Sequence, residues 1–186
     1  MLTIGIIVEG DFDAAALPEF IHKCIGDDVE VIARRCHSKS QLMRKFPGFL
    51  EGFRHDKQGM PVDKALIIRD ADTKEPHALI SEMKEKYINR TYPFPVEPAI
   101  IVQKLETWLL ADGQALSQVS GWSVPDLTER LEDLENPKER LQKILSDARV
   151  LYTSEVARSI AAATRLERLE YRCPNFQVFR QALGDG

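Results

Sequence analysis

Thr3-Ile4-Gly5-Ile6-Ile7-Val8-Glu9-Gly10-Asp11-Phe12-Asp13 is an apolar run that stops at a carboxylate and a glycine and then shows two more carboxylates. A run this continuous, rich in β-branched residues, fits a parallel strand buried on both faces better than a half-exposed one. It is expected to be the central strand. Gly10 permits a tight turn and Asp11 suits the start of the amphipathic stretch that follows, so the segment reads as strand, turn, helix. Glu9 and Asp13 then fall at the carboxyl end of the strand, where open parallel sheets keep their active sites.

Working outward, Ala14 to Ile25 carries Leu17, Phe20, Ile21, Cys24 and Ile25 on one helical stripe, with Pro18 as a late start or a kink. Val29 to Ala33 is a second strand, followed by the basic segment Arg34-Arg35-Cys36-His37-Ser38-Lys39. Ser40 to Phe53 is a helix interrupted by Pro47. Lys64 to Arg69 is a third buried strand, leading into Asp70-Ala71-Asp72-Thr73, and Pro76 to Tyr87 is a helix. Pro98 to Val102 is a fourth strand, and Lys104 to Ala111 starts a helix almost at once. Alternation of this kind predicts a mainly parallel four-stranded sheet with right-handed crossovers, an α/β three-layer fold of the Rossmann type.

Beyond Gly113 no comparable strand signal returns. Asp126 to Leu134, Pro137 to Leu145, Ser154 to Leu169 and Asn175 to Leu183 read as helices. The expected organisation is therefore an α/β core over residues 1–113 and a helical extension over 114–186, packed on the core.

Bulk properties restrict the function classes. The 186 residues carry a net charge of -4, which argues against generic charge-driven binding of nucleic acid but leaves room for a local basic patch. No apolar stretch approaches the roughly 20 residues that span a bilayer, and no leader-like segment opens the sequence, so a cytoplasmic protein without membrane association is expected. Cys24, Cys36 and Cys173 have no paired spacing and suit a reducing compartment; zinc binding is not expected.

Parallel strands point their carboxyl ends the same way, so the chain delivers acids to one edge: Glu9 and Asp13, then Asp70 and Asp72, then Glu106 and Asp112. Crowded carboxylates repel, and hard oxygen ligands without His or Cys partners favour Mg2+ or Mn2+. Each acid also has an ordinary structural explanation as a helix-start or turn residue. On the same edge, Arg34, Arg35, His37 and Lys39 offer phosphate contacts or merely a solvated basic turn. Lys104 is a candidate transition-state cation beside Glu106. Trp108 reads as core.

Glu9-Gly10 after the first strand and Asp70-Ala71-Asp72 after a later one resemble the Toprim fold shared by topoisomerases, bacterial primases, small ribosomal-RNA maturation nucleases and OLD-family nucleases. The Glu9-to-Asp13 spacing is similar to the OLD-type variant. The stretch Ile101-Val102-Gln103-Lys104-Leu105-Glu106-Thr107-Trp108-Leu109-Leu110-Ala111-Asp112 resembles a bacterial family labelled DUF4276, usually treated as Toprim-like, as do Pro137-Lys138 and Arg172-Cys173-Pro174-Asn175-Phe176. The resemblance implies a proton-transfer or metal-bridging role for Glu9, a metal role for Asp70 and Asp72, and a further ligand in Asp13. It also implies a nuclease acting on DNA or RNA, working with an ATPase partner in phage or plasmid defence. A catalytically weak metal-binding interaction subunit is the competing expectation. Topoisomerase and primase activities need modules that this chain lacks. A dehalogenase-type phosphatase is disfavoured because Lys74 stands where that family has threonine or valine, and a receiver-like phosphoacceptor leaves the long helical C-terminal part unexplained.

Overall fold

The computed structural model describes residues 1–184. Four parallel strands form one sheet: β1 (Leu2–Val8), β2 (Val29–Arg35), β3 (Lys64–Asp70) and β4 (Val96–Ile101), in the order β2-β1-β3-β4. The pairing register runs Ile6 opposite Ala33 on one side of β1 and opposite Leu66 on the other. The apolar opening run is thus an interior strand, buried at every residue from Thr3 to Val8. Gly5 has a packing role, since a Cβ there would lie 2.6 Å from the Phe53 ring. β4 is an edge strand, which tolerates Pro98.

Among the described residues nine helices flank the sheet: α1 (Asp11–Ile25), α2 (Lys39–Gly52), α3 (Pro76–Glu85), α4 (Leu105–Leu109), α5 (Gly113–Ser120), α6 (Pro137–Asp147), α7 (Ser154–Ala163), α8 (Leu166–Arg172) and α9 (Phe176–Leu183). The chain steps from β1 to β2 in one direction and from β2 past β1 to β3 in the other. With right-handed crossovers this reversal sends α1 to one face and α2 and α3 to the opposite face. The two hydrophobic cores reflect this. Ile4, Ile6 and Val8 pack with α1 and with Leu141, Ile160, Leu169 and Phe179 of the C-terminal helices. Ile7 and Ile67 pack with Leu42, Phe46, Leu79 and Met83 of α2 and α3. Trp108, 1% exposed, centres the first core, edge-on to Phe20, Phe176 and Phe179 at centroid distances of 5.7, 4.8 and 5.2 Å.

Several boundaries differ from the sequence expectation. Pro18 and Pro47 lie inside α1 and α2 and mark no helix start; each leaves the carbonyl four residues earlier without its helical donor. The helix expected to continue to Ala111 is short, and Asp112 caps a separate one, α5, that the sequence reading does not contain. The helix expected over 126–134 is only a 3-10 turn, Leu131–Asp133. Its missing backbone bonds go to side chains instead: Arg172 donates to the carbonyls of Leu127 and Glu129. The helix expected over 154–169 breaks at Thr164 and Arg165, where the Arg165 amide donates to the Asp112 carboxylate at 3.0 Å. All three cysteines are unpaired, and no helix among the described residues is long and apolar enough to cross a membrane.

Candidate metal centre

The strand order reverses between β1 and β3, and the crevice beyond their carboxyl ends is where α/β sheets of this type bind ligands. A cleft of about 230 Å³ opens there. Four carboxylates line it, each brought by a different element. Glu9 follows β1 and accepts the Asp70 amide at 3.2 Å, tying the ends of β1 and β3 together. Asp13, in the first turn of α1, accepts the Gly10 amide at 2.9 Å. Asp70, the last residue of β3, accepts the Leu105 amide at the start of α4 at 3.1 Å. Glu106, in the first turn of α4 and 5% exposed, accepts the Tyr152 hydroxyl at 3.1 Å.

Burial, and after it the mutual repulsion of these acids, raises the carboxyls of Glu9, Asp13 and Asp70. Burial pushes the Glu9 carboxyl up to about 7, with Lys39 opposing and Asp13 reinforcing the rise. Burial likewise raises Asp13 to about 6, against the Gly10 hydrogen bond and with Glu106 adding to it. Asp70 is raised well above the usual carboxylate range by burial and then by Asp13, Glu9 and Glu106. The helix N-termini of α1, α2 and α4 face this end of the sheet and offset part of the repulsion. Among the described residues no three His, Cys, Asp or Glu side chains form a ready-made ion cage. The donor chemistry nonetheless fits a hard divalent cation, since Glu9, Asp13, Asp70 and Glu106 offer carboxylate oxygens that share one cleft.

Two of the expected metal ligands, Asp112 and Asp72, lie apart from this acid group. Asp112 is fully buried away from the cleft, where Oδ1 accepts from Gln114 and Arg165 and Oδ2 accepts twice from Arg165. Burial alone would raise its pKa, but the Arg165 hydrogen bonds outweigh burial and hold it down at about 2. It is a helix cap and a cross-chain anchor. Asp72 does not line the acidic cleft either; its two oxygens face the ammonium groups of Lys39 and Lys104.

The basic segment divides. Lys39 and His37 line the cleft, whereas Arg34 lies outside its lining, where it pairs with Asp56 at 2.6 Å and lies over the Phe53 ring. Arg35 is half exposed and pairs with Asp11. Lys104 lines the cleft together with Glu106.

Lys138 and Phe12 in the cleft lining, and Tyr152 behind Glu106, carry no role in the sequence reading. Lys138, the second residue of α6, lines the cleft with its Nζ 5.0 Å from the Phe12 ring centroid. Phe12 in turn packs on Tyr152 with centroids 4.7 Å apart. For Lys138 the only signal is the Pro137-Lys138 pair at a helix start; for Tyr152 there is none, because its partner Glu106 lies far off in sequence. The start of α6 therefore contributes to the lining of the site, and the loop before α7 supports Glu106 from behind. Tyr152→Phe, which strips Glu106 of that donor, is expected to cost about 1–2 kcal/mol of stability, read from the urea unfolding midpoint of the metal-free protein.

The model of the family described as a domain of unknown function (DUF4276) matches residues 8–184, from the last residue of β1 to just past α9. That description names no activity and no Toprim or OLD-type relation. No curated protein and no solved structure matches the chain.

Proposed function

Because the chain belongs to the DUF4276 family, whose description assigns no chemistry, we propose its function from the site itself: a Mg2+- or Mn2+-dependent, Toprim-like phosphodiesterase acting on DNA or RNA. One observation carries the reading. Four carboxylates from separate elements meet in one cleft whose lining also includes Lys39, Lys104 and Lys138. Acids arranged to hold a cation, with lysines arranged to meet an anion, suit a metal-assisted reaction at a phosphate.

In this proposal Glu9, Asp13, Asp70 and Glu106 hold the ion, and Tyr152 keeps Glu106 in place. A bound divalent ion would supply charge stabilisation at a phosphoryl oxygen and a more acidic water. Hydrolysis adds a water oxygen to phosphorus and breaks one ester P–O bond, so one proton must leave the water and one must reach the departing oxygen. Glu9, at the end of β1 in the cleft, serves one of these transfers in the arrangement where it stands free of the ion, and bridges to the ion otherwise. Lys138, held over Phe12 without a carboxylate partner among the described residues, is suited to contact a non-bridging phosphate oxygen. The proposal includes an ATPase partner in phage or plasmid defence, on the strength of the OLD-type resemblance alone.

A second reading, a metal-binding interaction subunit with little activity of its own, draws support from the withdrawal of Asp72 from the acid group. The deciding experiment incubates the purified protein with supercoiled plasmid and with single-stranded RNA, in Mg2+, Mn2+ or chelator. Cleavage that requires the ion and disappears in Asp70→Asn supports the phosphodiesterase. Ion binding without cleavage of either substrate supports the interaction subunit.

A further inference from the structure

Asp72 holds an unusual position. Its backbone is left-handed, with φ of 50°, and so is that of Gln103, with φ of 60°; this region is uncommon for residues other than glycine. The two meet in an isolated antiparallel bridge in which the Asp72 amide donates to the Gln103 carbonyl at 2.9 Å. The turns leaving β3 and β4 are thereby stitched together. Lys104 is the next residue after Gln103, and its Nζ lies 3.5 Å from Asp72 Oδ1. Lys39, the first residue of α2, reaches Oδ2 from the other side. Chain segments that follow β2, β3 and β4 thus meet at a single carboxylate, one oxygen to each ammonium.

A divalent cation approaching Asp72 would meet two ammonium groups, which argues against a ligand role. The same two lysines line the acidic cleft, while Asp72 lines a neighbouring groove instead. Lysine side chains lose about 2 kcal/mol of rotamer entropy when fixed, so a carboxylate that fixes two of them in advance lowers the cost of gripping an anion. We infer that Asp72 is a positioning residue that holds Lys39 and Lys104 as a pair of cations for the phosphate groups of a nucleic-acid strand. This inference rests on the phosphodiesterase reading for the identity of the anion, and it departs from the metal role that the Asp70-Ala71-Asp72 pattern implies.

The sign of the expected effect is diagnostic. Removing a negative charge beside an anion site ordinarily tightens anion binding; removing a positioning carboxylate loosens it. The experiment measures fluorescence anisotropy of labelled short single strands of DNA and RNA in chelator, and separately Mn2+ binding by calorimetry. Asp72→Asn is expected to weaken strand binding about tenfold, the loss of one charge-assisted hydrogen bond, and to leave Mn2+ affinity within about twofold of wild type. In a Lys39→Met, Lys104→Met background Asp72→Asn is expected to add nothing further, which a merely structural role would not produce. Tighter or unchanged strand binding overturns the inference, as does Mn2+ affinity lost to the same degree as in Asp70→Asn. Absence of any strand binding by the wild-type protein also overturns it. Failure of the wild-type protein to bind Mn2+ instead removes the metal-centre reading, while the strand measurement in chelator still decides the role of Asp72.

Discussion

Asp70→Asn is expected to lower Mn2+ affinity and ion-dependent cleavage by about a hundredfold or more, and at the same time to raise the melting temperature of the metal-free protein. The two effects share one cause. Asp70 ends β3 in a crevice where Glu9, Asp13 and Glu106 all push against its charge and burial withdraws solvent from it. Asparagine keeps an oxygen for the Leu105 amide, the one hydrogen bond the carboxylate accepts from the start of α4, and removes the charge. Each kcal/mol of relieved repulsion corresponds to about 2–4 °C in a chain of this size. A site that is stabler without its acid is one kept for function rather than for folding. Calorimetric titration with Mn2+ and a thermal scan at pH 8 in chelator check both halves. Retained Mn2+ affinity together with a lower melting temperature would make Asp70 a structural turn residue and remove the basis for the metal centre.

The second large effect is an inverted pH profile. The folded-state carboxyls of Glu9 and Asp13 are raised from 4.5 and 3.8 to about 7 and about 6, and Asp70 is raised well above its ordinary value. Raised carboxyls mean that the native state holds more protons than the unfolded chain, so stability falls as pH rises across the interval from about 4 to about 7. The total is on the order of 3 kcal/mol after allowance for partial solvent screening. Asp112 acts with the opposite sign but outside this interval: its carboxyl, held at about 2 against an ordinary 3.8, contributes stability that is lost only as pH falls through that lower range. Urea midpoints in chelator are therefore expected to be highest near pH 4 to 5 and to decline toward pH 8. Mg2+ or Mn2+ is expected to restore stability at the alkaline end by binding the folded state alone. A chelator profile that climbs steadily from pH 5 to 8, with no response to either ion, would contradict the shared acidic cleft.

Much of this site can be read locally, and the reason is topological. Glu9 and Asp70 each close a buried strand, and parallel strands in neighbouring positions must bring their ends together. Glu106 follows from the same logic one strand further on. The residues that escaped are those whose neighbours lie far off in sequence. Asp112 looks like one more acid at the same edge, yet its partner Arg165 lies fifty-three positions later and takes both of its oxygens. That pairing also breaks a helix that the apolar pattern runs straight through, because the Arg165 amide is drawn to Asp112 instead of to a helical carbonyl. Asp72 belongs to an Asp-x-Asp pattern, but a left-handed turn aims it at two lysines rather than into the acidic group.

By itself, then, the sequence determined the strand-helix alternation, the buried opening strand and the edge at which its acids gather, since these follow from hydrophobic period and from the one-way direction of parallel strands. Only the tertiary structure decided which acids face one another, which are neutralised by Arg165, Lys39 and Lys104, that Lys138 of α6 joins the cleft lining, and that Tyr152, in the loop before α7, donates to Glu106. Those outcomes depend on side-chain direction and on contacts between distant segments, which no local pattern of residues encodes.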